Sequence, residues 1–196
     1  MAISHCDTHR HFVAYLIVEN RMFKQLCCLL CCLAIASLSA CGQEKVKPSP
    51  AEKAECQLAG GKSVKIDYSS PRMKGRKIFG GLVPYGQVWR AGANEATTFV
   101  TDTNLSVGGT AVPAGSYTIF AVPNADKWQL VISKKTGEWG TAYPGPGEDL
   151  ARIDMKVSPL SSPMENFTIA FDKSGSGCTL SMSWENTKAS VDVAAK

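Results

Sequence analysis

FTIAFDKSGSGCTLSMSWENTKASVDV, residues 167–193, decides the fold class of this chain. Phe167, Ile169 and Phe171 alternate with Thr168, Ala170 and Asp172; Cys178, Leu180, Met182 and Trp184 alternate with Thr179, Ser181 and Ser183; Ala189, Val191 and Val193 repeat the pattern. A period of two is the signature of a strand with one buried face. Ser174-Gly175-Ser176-Gly177 between the first two runs has turn chemistry, so the segment predicts antiparallel neighbours. Working outward, Val64, Ile66 and Tyr68 alternate with Lys65 and Asp67. Further strands are predicted at 97–102, 105–107, 110–112, 116–122, 127–133 and 153–157, with Gly108-Gly109 and Pro123–Asp126 as turns. After Cys41 no stretch carries an apolar stripe of helical period. Nine or ten short strands with frequent turns predict a mainly β domain, an antiparallel β-sandwich of jelly-roll type.

The N-terminal part reads differently. Leu26–Ala40 (LCCLLCCLAIASLSA) is an uncharged apolar run, shorter than the roughly 20 residues that span a bilayer and of the right length for the h-region of a signal peptide. Lys24 precedes it, and Leu38-Ser39-Ala40-Cys41 resembles a lipobox, so Cys41 is the expected lipidation site. Residues 1–21 fit no signal pattern, and Met22 is the expected start. Residues 1–40 are thus read as extension plus signal peptide, 41–54 as a flexible polar tether, and 55–196 as one domain. With Gly42 rather than Asp after the cysteine, the segment resembles lipoproteins of two-membrane bacteria, and that resemblance implies forwarding to the outer membrane, facing the periplasm, in a host that has one. The tether (GQEKVKPSPAEKA after Cys41) reaches at most about 45 Å.

Processing at Cys41 removes three of the 21 basic and two of the 17 acidic residues, leaving 18 against 15. That balance is no nucleic-acid footprint. His5, His9 and His11 are all lost, which leaves the domain without an imidazole for a Ser-His-Asp triad, a Cys-His pair or a His-bearing zinc site. No calcium loop, G-x-S-x-G elbow or H-E-x-x-H is present, so no metal and no cofactor are expected. Beyond Cys41 only Cys56 and Cys178 remain. Outside the cytoplasm they form a disulfide or stay as two buried thiols; sequence alone leaves both open.

Two Gly-rich segments, 71–95 and 134–152, break the strand rhythm and are too long for hairpin connections. The first carries Arg72, Lys74, Arg76 and Lys77, then Trp89, Arg90, Asn94 and Glu95; the second carries Trp139, Tyr143, Glu148 and Asp149. Planar guanidinium donors beside an indole suit an anionic or sugar-like small molecule, with Trp89 stacking and Arg90 forking a carboxylate or phosphate. Trp139 and Tyr143 suit a sugar ring. The structural alternative pairs Arg90 with Glu95, uses Trp89 as a plug and leaves the basic run solvated. A second alternative makes the protein a carbohydrate-active or other hydrolase, with Glu95 and Glu138 or Glu148 as paired carboxylates. The binding reading ranks first, with no catalytic residue, and the oligomeric state is open.

Pro71-Arg72-Met73-Lys74-Gly75-Arg76, Trp89–Glu95 (WRAGANE), VPAGSYTIFAVP (112–123), WQLVISKKTGEWGT (128–141) and DLARIDMKV (149–157) stand in one order along the chain. In these runs the sequence resembles the bacterial domain-of-unknown-function family 2911, from about Ser63 to Val193. The resemblance implies an exported, β-rich domain and transfers no catalytic residue.

Overall fold

The computed structural model describes residues 47–139 and 142–196; the signal segment, Cys41 and the first part of the tether lie outside the described residues. Alternation of buried and exposed side chains produces nine strands: β1 (Ala51–Gln57), β2 (Ser63–Ser69), β3 (Thr98–Thr101), β4 (Leu105–Val107), β5 (Thr110–Val112), β6 (Gly115–Val122), β7 (Lys127–Ser133), β8 (Asp149–Ser174) and β9 (Gly177–Ala195). The domain is mainly β and antiparallel throughout, as the periodicity predicts. Where the sequence reading predicts a two-sheet sandwich, the strands join one open sheet in the order β1-β2-β3-β6-β7-β8-β9-β4-β5.

Two long strands account for the difference. The runs at 153–157 and 167–171 belong to the single 26-residue β8, and those at 178–184 and 189–193 to the 19-residue β9. Their pairing slips between Pro159 and Met164 and again between Met164 and Thr168, leaving more residues on β8 than on β9. Pro159 and Pro163 lack an N–H to give to a ladder, so this irregular stretch suits them. Here the sheet turns back on itself. The second half of β8 meets the far end of β2: the Ile169 amide donates to the Tyr68 hydroxyl at 3.1 Å, and the Ser70 hydroxyl donates to the Phe167 carbonyl at 2.6 Å. A disulfide joins Cys56 on β1 to Cys178 on β9 across a Cα separation of 6.5 Å.

The curl encloses one main core. Val64, Ile66, Phe99, Ile119, Leu130, Ile132, Phe167, Leu180 and Met182 are almost wholly buried in it. Each such side chain contributes roughly 1.5–3 kcal/mol by leaving water. A smaller cluster of Phe120, Val122 and Val131 lies on the opposite face of β6 and β7.

Strand β1 is a correction to the expected tether, since residues 51–54 are already paired with β2. Its sequence signal is weak because only Ala54 and Cys56 turn inward. Outward, Lys53 pairs with Asp67 at 3.0 Å and Glu55 with Lys65 at 3.3 Å, which in sequence looks like tether polarity. Similarly, 149–152, expected in the second loop, open β8. At the β4–β5 turn Gly108 has φ 54°, and a Cβ there would come within 2.7 Å of Ile153. The turn therefore needs glycine.

A candidate anion pocket beneath the first glycine-rich loop

Residues 70–97 have no long strand, yet both arms of the loop are pinned to the sheet. The Phe167 amide donates to the Pro71 carbonyl at 2.9 Å, and Met73 donates to the Glu165 carbonyl at 2.8 Å. The Glu185 carboxylate accepts from the amides of Ile78 and Phe79, each at 3.3 Å, and Ile78, Phe79 and Val83 drop into the core. Trp89 exchanges two 2.8 Å backbone bonds with Ala121 of β6. Asn94, with φ 55°, donates to the Ser49 carbonyl at 3.0 Å and the Ser69 hydroxyl at 3.2 Å. Glu185 and Glu165 are positioning residues that sequence reasoning missed; nothing in the pattern around Trp184 shows that the next residue binds Ile78, 107 positions upstream. Glu185→Ala is expected to leave two amides unpartnered, lowering stability by about 1–3 kcal/mol. Hydrogen exchange should show faster exchange at Ile78 and Phe79 than at β6; equal protection in variant and parent would contradict this role.

Trp89 is half-buried and belongs to an aromatic cluster. It stacks on Trp184 with ring centroids 5.9 Å apart and planes 18° from parallel, and meets Phe167 edge-on at 4.9 Å. Phe79 and Trp128 complete the group, their centroids 4.8 Å apart. Above this floor opens a pocket of about 380 Å³ lined by Ser49, Pro71, Arg76, Leu82, Val83, Trp89, Arg90, Gly92, Ala93 and Trp184. Among its described lining residues there is no aspartate or glutamate.

The cations are not neutralised by carboxylates. Arg90 reaches only the Gly92 carbonyl, at 3.3 Å, and Arg76 donates to the carbonyls of Met73 and Arg72 at 3.0 and 2.7 Å. Neither is in an ion pair among the described residues. The structural alternative that joins Arg90 to Glu95 is not the arrangement found: Glu95 binds Lys47 at 2.6 Å. That ammonium group, as hydrogen-bond donor, holds the exposed Glu95 carboxyl below its ordinary pKa.

The remaining expected site residues are scattered. Arg72 donates to the Ser70 hydroxyl at 2.7 Å, against the β2 end, and Lys74 is exposed beside the pocket loop, its amide bound to Glu165. Trp139 is 64% exposed and meets the first loop through a bridge to Glu95. Tyr143 is elsewhere altogether. It packs edge-on against Phe120, 5.3 Å between centroids, on the opposite face of β6 from the Trp89 cluster. Its hydroxyl bonds to Asp149 and Arg152, each at 2.8 Å; burial, then the Asp149 carboxylate, push its pKa up. The second loop thus adds no platform to the pocket that the described residues show.

Fold and pocket together define a class: a mainly β domain with an aromatic-floored, cationic pocket under one long loop. The sequence model of a family described as "Protein of unknown function (DUF2911)" matches residues 49–193, and the chain belongs to that family. No curated protein and no solved structure matches it.

Proposed function

We propose that this protein is a lipoprotein, anchored through Cys41 at the periplasmic face of an outer membrane, whose Arg76–Arg90 pocket binds an anionic small molecule. The anchoring half rests on the lipobox-like Leu38–Cys41, and the Cys56–Cys178 bridge supports an oxidising compartment. The binding half rests on one observation: two guanidinium groups without carboxylate partners line a concave site floored by Trp89 and Trp184. Such a site suits a carboxylate or phosphate joined to a flat or apolar body, acidic sugars included. The hydrolase alternative has less behind it. Glu95 and Glu138 are each held by a lysine, Lys47 and Lys135, and no carboxylate is among the described lining residues.

Calorimetric titration of the purified protein with sugar acids, aromatic carboxylates and phosphate esters tests the reading. Saturable binding is expected for at least one class, weakened about tenfold or more in Arg76→Ala/Arg90→Ala, since charge-assisted bonds contribute roughly 1.5–3 kcal/mol each. Unaltered affinity in the double variant, or no binding across the three classes, would remove the proposal.

A further inference from the structure

The tip of the pocket loop carries an unusual pair for a surface. Leu82 is 48% and Tyr85 46% exposed, though most large apolar side chains of the domain are buried. Lys74, Arg76 and Lys77, all exposed, flank them, and none is in an ion pair among the described residues. Two acidic residues beside this loop, the exposed Glu165 and the half-buried Glu185, have their carboxylates engaged by its backbone, accepting from the amides of Lys74, Ile78 and Phe79. Exposed apolar side chains that share a loop with unpaired lysine and arginine match the boundary between lipid headgroups and acyl chains.

The position of this tip relative to the chain path names the occupant. Leu82 and Ser49 line the same pocket, so the tip is at the end of the domain where residues 47–50 come in. Eight peptide units separate Cys41 from Ser49, a span of at most about 28 Å. Resting on the lipid-anchor reading above, we infer that the 74–85 loop docks on the leaflet that holds the lipid, Leu82 and Tyr85 entering the headgroup layer and Lys74 and Lys77 meeting lipid phosphates. The β8–β9 turn then points away from the bilayer. That turn lies at the other end of β1 and β2, since Lys173 beside it donates to the Gln57 carbonyl at 2.9 Å.

The test uses the lipidated protein in vesicles, with an environment-sensitive fluorophore on Leu82→Cys or, at the far turn, on Ser176→Cys. In phosphatidylcholine mixed with phosphatidylglycerol, the Leu82 probe is expected to shift to the blue and to be quenched about threefold more by brominated lipid than the Ser176 probe. Lys74→Gln/Lys77→Gln should abolish most of that difference. Equal quenching at both positions, or an undiminished shift in the lysine variant, overturns the docking. Flotation on pure phosphatidylcholine reports the anchor separately: a chain that fails to float there has no lipid on Cys41, while the probes still decide docking on added anionic vesicles.

Discussion

Cys56→Ala/Cys178→Ala is expected to lower stability by about 4–5 kcal/mol and the melting temperature by roughly 10–20 °C, the largest loss from any single covalent feature. The bridge spans 122 positions, so on the chain-entropy account its removal frees a very large loop in the unfolded state. It also ties an edge strand to β9: β1 pairs with β2 alone in the sheet order and contributes few large apolar side chains. Thermal unfolding of variant and parent, with and without reductant, measures the effect. A parent that melts at the same temperature in both conditions would show that the bridge adds nothing.

Phe167→Ala should cost about 3–5 kcal/mol, in the range for emptying a buried aromatic site. The ring is fully buried and touches Tyr68, Trp89 and Trp184, with centroids at 5.8, 4.9 and 5.8 Å. Its backbone carries the two bonds that fasten Ser70 and Pro71 to β8, so the cavity opens where loop and sheet meet. Denaturant titration should show a lower midpoint with an unchanged slope. A loss below about 1 kcal/mol would mean that the cluster is not the floor it is taken for.

The contrast between strands and site follows from range. Alternation is a local signal, and β2, β4, β5, β6 and β7 fall within a residue or so of where Val64–Tyr68, Leu105–Val107, Thr110–Val112, Ser116–Val122 and Lys127–Ser133 predict them. The union of two runs into β8 was hidden by Pro159 and Pro163, which end most strands and here occupy an irregular stretch. β1 was hidden by small inward residues. In the site, Trp89, Arg90 and Arg76 were legible as residue types suited to an anion, and they share a pocket. Ser49 and Trp184 were not legible there, because pairing of the chain ahead of β1 with the end of β2 brings in the first and the curl of the sheet the second. Tyr143, which the sequence groups with Trp139 as a sugar platform, packs against Phe120 on the face of β6 opposite Ala121 and the Trp89 cluster.

The two-stranded hairpin of β4 and β5 reaches the rest of the sheet only through β9, with Val107 opposite Val193. A ribosome must therefore have made nearly every residue named above before this edge of the sheet can form. Contacts this distant along the chain form slowly. The hairpins between strands adjacent in the chain, β1 with β2 and β6 through β9, can form before that, so the β4–β5 edge is the last to gain its partner.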